Sequence, residues 1–373
     1  MQKKLENEIV HLIDLYESST SFSTRNYYYN SIINLIDVYQ DLTKKTIMFS
    51  PHFKDILYDS HLDKKINRTW INEVSSKNYR NMIDEICNNG IEIIDDNIKL
   101  EEQSFTDEIS FKSACEIIYS FFEKYDKTLL PFVKNILENN LVFCQTDLEK
   151  LGYSINSRSL KKTYIVIFSD KNRISIEKLI TIIHEIGHAL YNKTLNSKKM
   201  HSTHNDFVET IPYFLEQVFI GYCTKNKIHA IDCLKAQKND IIGLYNYLID
   251  LKITNRFITK VNIRNLSLKL SLNDLTKIED YDFSNDTLTL KDCDKNYEYS
   301  YGLLLAFYYL NSYNQDPEKT KESIKQFMLN IGIYNDQYIL NHFGIVYDDL
   351  LSCEFLKPII IENQKQLSKK PHN

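Results

Sequence analysis

The sequence predicts a mainly α fold with a small β-sheet set beside one central helix. Three observations predict it. Only 8 Gly and 6 Pro stand among 373 residues, and these residues punctuate turns and interrupt helices, so long helices are favoured over many short strands. Apolar residues recur at helical spacing through the first part of the chain, as in Ile9, Leu12, Ile13 and Tyr16, and again in Cys115, Ile117, Ile118, Phe121 and Phe122. Between Leu141 and Ser169 the pattern changes. Leu141-Val142-Phe143 and Thr163 to Phe168 are short runs rich in β-branched and aromatic side chains, with turn residues around Gly152 and Asn156.

On this pattern the chain divides into a helical N-terminal lobe, residues 1–140, and a second domain, residues 141–373, that holds the sheet and the central helix. That helix is expected to start from a cap at Ser175 or Asn172 and run to about Asn192, because Ile176, Leu179, Ile180, Ile183 and Ile186 keep the helical period. A second helix is expected over about Asp206 to Cys223, with further helices near 301–312, 319–330 and 348–366. No internal repeat or low-complexity linker interrupts them.

Hydrophobic residues make up 43% and charged residues 25% of the chain, which is ordinary for a globular protein and excludes a disordered or fibrous class. A net charge of -5 and a pI near 6.1 give no electrostatic reason to bind nucleic acid or an anionic membrane. No run approaches the roughly 18 apolar residues of a spanning helix, and the first residues lack the apolar stretch of a signal peptide. The 7 cysteines are scattered and include no C-x-x-C pair, which suits reduced thiols. A cytoplasmic protein is the expectation, with oligomeric state left open.

The central helix carries His184-Glu185-Ile186-Gly187-His188. Two histidines four residues apart on a helix project from one face, so their imidazoles can converge on a single ion at about 2.0 to 2.1 Å. Glu185 stands beside the open position of such an ion, where it can take a proton from water. Gly187 in mid-helix costs roughly 1 kcal/mol against Ala, which suggests that another backbone segment passes close by. By chance the H-E-x-x-H pattern arises in roughly one chain in fifty of this composition, so the residues downstream decide its weight. Glu209 follows His188 amid apolar neighbours, and Glu216 comes seven residues later on the same helical face. The second helix can thus supply a third ligand and a further acid. His201 and His204 compete for the third position, but they fall in a polar stretch that reads as a loop. Both are kept as candidate substrate contacts, His204 foremost. A third histidine six residues after His188 is not available, because Thr194 stands there.

These residues resemble the thimet oligopeptidase and oligoendopeptidase F family of zinc peptidases. The likeness rests on H-E-I-G-H-A-L from His184 to Leu190 and on D-F-V-E-T-I-P-Y-F-L-E from Asp206 to Glu216. It extends upstream to Gly152-Tyr153-Ser154 and Thr163 to Phe168, and downstream to Tyr297-Glu298-Tyr299-Ser300-Tyr301-Gly302. The resemblance implies a zincin-like helical metallopeptidase in which His184, His188 and Glu209 hold one Zn2+ and Glu185 is the general base. It further implies that Glu216 supports a ligand and that one or more of Tyr297, Tyr299 and Tyr301 donate to the oxyanion. Two departures stand out. The region before the motif is shorter than the family's, and a His-Gly pair that some members carry near the tyrosine segment is missing.

The expected activity is hydrolysis of short, unfolded peptides. Thr163 to Phe168, read as an edge strand, would dock the peptide backbone through Tyr164, Ile165 and Val166. Two alternatives remain open at this level: a dedicated processing peptidase for one precursor or signalling peptide, and a catalytically inactive peptide-binding protein.

Overall fold

The computed structural model describes residues 2–18, 76–144, 151–157, 162–198, 207–261, 290–331 and 336–369, with a few single positions between 28 and 39. In chain order the elements are α1 (Gln2–Ser18), α2 (Lys77–Asn97), β1 (Glu108–Ile109), α3 (Phe111–Tyr125), α4 (Leu130–Asn139), β2 (Leu141–Cys144), β3 (Gly152–Ser157), β4 (Lys162–Phe168) and β5 (Ile174–Ser175). They continue with α5 (Ile176–Lys198), α6 (Thr210–Lys225), α7 (Ala230–Val261), α8 (Leu290–Gln315), α9 (Pro317–Asn330), α10 (Asp336–Ile339), α11 (Tyr347–Ser352) and α12 (Leu356–Ser368). The fold is mainly α with a small sheet, as the sequence predicts. It divides into two compact units, one drawn from Met1–Asp63 with Asp107–Lys198, the other from Lys64–Thr106 with Lys199–Asn373. Residue 140 falls inside the first unit, between α4 and β2.

In the first unit a three-stranded sheet has the order β2-β4-β3, with β2 parallel and β3 antiparallel to β4. Side chains alternate across a strand, so Tyr164, Val166 and Phe168 share one face with Val142 and Cys144. They pack there with Leu5, Ile9 and Leu12 of α1. The Tyr164 hydroxyl donates to the Glu8 carboxylate of α1, which ties a polar group to the sheet in an otherwise apolar layer. Ile165 and Ile167 point to the opposite face, and α5 packs along β3 and β4. A second, two-stranded ribbon pairs Glu108 with Ser175 and Ile109 with Ile174 just before α5 begins, and so fixes where that helix starts.

Two expectations are corrected here. The strand Thr163 to Phe168 is not an edge. It lies in the middle of the sheet with both sides paired, and Tyr164, Ile165 and Val166 are buried, so it has neither free backbone groups nor exposed side chains for a peptide. Gly152 and Asn156 do not form a turn but lie within β3. Glycine is required at 152 for close approach: a Cβ there would sit 2.8 Å from the Val166 carbonyl oxygen and 3.0 Å from Thr181 Cγ2 of α5.

In the second unit α8 is the central helix. Five consecutive residues, Leu303, Leu304, Leu305, Ala306 and Phe307, are all buried. An apolar helix covered all round is what five such neighbours require, and α6, α7, α9 and α12 supply the cover. α2 packs on α7, α11 and α12, anchored by an N-cap in which Ser76 accepts from the Tyr79 amide. No helix among the described residues is long and apolar enough to cross a membrane. None of the described cysteines forms a disulfide.

Replacing Gly152 by Val inserts atoms into the contact between β3, β4 and α5. Overpacking of this kind costs about 1–3 kcal/mol, so the urea midpoint of Gly152→Val is expected to fall below the parent's, with Gly152→Ala falling less. A midpoint equal to the parent's would contradict the close packing described.

Candidate metal centre

The helix α5 begins with the expected cap: the Ser175 hydroxyl accepts from the Lys178 amide at 3.2 Å, and Glu177 in the first turn complements the positive end of the helix. Its apolar stripe, Ile176, Leu179, Ile180, Ile183 and Ile186, is buried throughout. A helix locked on that side has its other side chains fixed in direction. His184 and His188 are half-buried, and their rings meet edge to face with centroids 4.9 Å apart. Between them in sequence, Glu185 is 5% exposed. Its Oε2 is buried and has no hydrogen-bond partner among the described residues. A carboxylate oxygen left in this way costs stability unless something outside the protein's own groups answers it.

Glu209 stands just ahead of α6, in the short turn closed by the Thr210 amide on the Phe207 carbonyl at 3.1 Å. The expected helix therefore starts later than Asp206, and Glu209 is its boundary residue. Its side chain makes no capping bond to the helix. At 6% exposure it is nonetheless buried, as is Glu216 on α6. One ligand atom from each of His184, His188 and Glu209 lies within 4.8 Å of the others. Two donors on a tetrahedral ion at about 2.0 to 2.1 Å stand roughly 3.4 Å apart. Two imidazoles and a carboxylate form a donor set suited to a small divalent cation of the transition series. The residues present fit such an ion.

The tyrosine segment lies on α8. Tyr297 and Tyr301 are fully buried, with ring centroids 5.9 Å apart. The Tyr301 hydroxyl is 2.5 Å from that of Tyr79 on α2. Tyr299 faces another way, half-buried and stacked on Tyr247 of α7 at 5.5 Å. Of the three, Tyr299 alone keeps exposed surface. His204 lies outside the described residues, and the buried Tyr164, Ile165 and Val166 stand in the middle of the sheet.

Sequence reasoning passed over Tyr213. It lies one turn after Glu209 and one turn before Glu216, so the three share a face of α6. Burial, then the charges of Tyr247, Glu209, Glu216 and Asp240, hold its phenol well above the usual tyrosine range. The hydroxyl stays protonated at neutral pH and remains a donor. The spacing around Glu209 was the available signal for it.

No protein-family model matches the chain, and no curated protein matches it. Among solved structures, its fold is similar to a crystal structure described as a "putative peptidase" from Chlamydophila abortus, with 14% identity and a TM-score of 0.50 over 92% of this chain. The match covers 61% of that protein's chain, so this chain spans about three fifths of its length. At that identity the likeness is one of fold.

The protein is expected to bind one equivalent of a divalent metal. His184→Ala and His188→Ala should reduce the bound metal, measured by plasma mass spectrometry after gel filtration, to background. Retention of a full equivalent in both variants would place the metal elsewhere.

Proposed function

We propose that this protein is a zinc-dependent peptidase that hydrolyses short, unfolded peptides, and that it is a relative of the thimet oligopeptidase and oligoendopeptidase F group. The observation that carries the reading is the buried Glu185 Oε2, without a hydrogen-bond partner among the described residues, on the same helix as two histidines whose ligand atoms lie within 4.8 Å of one from Glu209. The donor set and the helix-borne acid are what the family resemblance requires. The fold likeness to a protein described as a peptidase is compatible with it.

In this reading His184, His188 and Glu209 hold the ion. When bound, Zn2+ supplies a Lewis acid that polarises the scissile carbonyl and makes nearby water easier to deprotonate. Glu185 takes the proton at Oε2, the oxygen with no hydrogen-bond partner among the described residues, and passes it to the leaving amine. Glu216, buried on α6, supports a ligand through its charge. Tyr299, the partly exposed member of the α8 tyrosines, is the proposed oxyanion donor, since a preorganised hydroxyl needs little reorganisation as negative charge develops.

The peptide dock moves from β4 to β3. Among the described residues β3 borders only β4, so its outer edge can pair with an extended backbone irrespective of sequence. It is also packed along α5, the helix that carries the motif.

A quenched-fluorescence library of short peptides tests the reading. Cleavage is expected to require metal and to fall by about 100-fold or more in Glu185→Gln, while bound zinc stays at one equivalent. Metal-loaded protein that cleaves nothing in the library sinks the peptidase assignment and favours a peptide-binding role. Cleavage confined to a single sequence favours a processing enzyme.

A further inference from the structure

The turn that carries Glu209 is gripped by α8 at two adjacent residues. Gly302 lies so close to Glu209 that a Cβ on the glycine would overlap the Glu209 Cβ and stand 3.1 Å from its carbonyl carbon. The ring of Tyr301, one residue earlier, stacks on Phe207 with centroids 5.2 Å apart and planes at 28°. Phe207 in turn meets Phe327 of α9 edge to face. The position of α8 along its axis therefore sets where the backbone of 207–209 can lie.

A buried polar chain fixes that position. The Tyr79 hydroxyl donates to Asp336 Oδ2 at 2.8 Å. A phenol has one proton to give, so in the 2.5 Å contact between the two tyrosines Tyr301 is the donor and Tyr79 the acceptor. Tyr79, Tyr301 and Asp336 are all fully buried. Placing a carboxyl group and two hydroxyls inside an apolar core is costly, and apolar residues of similar volume often serve stability as well or better. What such a chain adds is direction: each hydrogen bond has a fixed length and geometry, whereas apolar contacts tolerate sliding.

We propose that Tyr79 and Asp336 are positioning residues for Glu209, acting through Tyr301 and its neighbour Gly302. The proposal rests on the reading that Glu209 holds the metal. Asp336 orients the Tyr79 hydroxyl, Tyr79 receives Tyr301, and Tyr301 seats both Phe207 and the backbone of Gly302 against the turn. Loss of the chain lets α8 shift, and Glu209 then meets the ion in a less favourable arrangement.

Zinc affinity of the full chain, stripped of metal and titrated against a chromogenic chelator, tests this without recourse to activity. Tyr79→Phe and Asp336→Asn are each expected to weaken zinc binding roughly 10- to 100-fold, with helical circular dichroism retained. Glu209→Gln alone should weaken it too. In the Glu209→Gln background the same two substitutions should change affinity by less than about threefold, because the ligand they act through is already impaired. Should Asp336→Asn fail to fold, Tyr301→Phe keeps the stack on Phe207 and removes only the hydroxyl, and carries the same expectation. Parental affinity in these variants overturns the proposal. So does an equal loss in both backgrounds, which is the signature of general loosening. If Glu209→Gln binds zinc as tightly as the parent, the metal reading of Glu209 falls, and the proposal with it.

Discussion

Two carboxyl groups, Glu185 and Glu209, are kept at 5% and 6% exposure. Taking an ionised carboxylate out of water costs several kcal/mol unless an opposite charge or well-placed donors answer it. Much of the described structure serves that constraint. The cap at Ser175 and the β1–β5 ribbon fix the start of α5, and its buried isoleucines fix its rotation and with it the side from which Glu185 and both histidines project. Glu209 is held differently, by the close backbone of α8 and by an aromatic stack, with no capping bond of its own. His184, His188 and Glu209 form a group that could hold a metal ion.

The helix α5 was legible because everything it needs is local. Motif, period and cap lie within a couple of dozen residues, and the helix starts from the expected cap, although it runs on to Lys198, past the Asn192 expected. The sheet was half legible. Tyr164 to Phe168 is a continuous apolar run, and continuity without polar alternation is the mark of a strand covered on both faces. That feature placed it at the centre of the sheet, and reading it as an edge overlooked the point. Gly152 misled for a related reason. Glycine signals a turn and a close approach equally well, and only the partner atoms, Val166 and Thr181, distinguish the two.

The support of Glu209 was not legible at all. Tyr79 meets Tyr301 across 222 positions and Asp336 across 257. No window of sequence shows such a pairing, and with so many tyrosines in the chain none of them stands out by type. The tyrosine segment itself was visible, but its members differ in a way that spacing cannot express. Tyr297 and Tyr301 face the interior of the second unit, while Tyr299, set off by two residues along α8, turns toward Tyr247 and keeps part of its surface.

The long span of the Tyr79–Asp336 bond has a consequence for the order of events as the chain is made. Closing a contact between residues 257 apart must wait until Asp336 has been made, and contacts of such separation form late. The helix with the two histidines needs only its own residues and the sheet beneath it. A nascent chain therefore holds its imidazoles ready long before the turn bearing Glu209 acquires its anchor. If metal binding depends on that turn, the site stays incomplete during synthesis until α10, which carries Asp336, has been made.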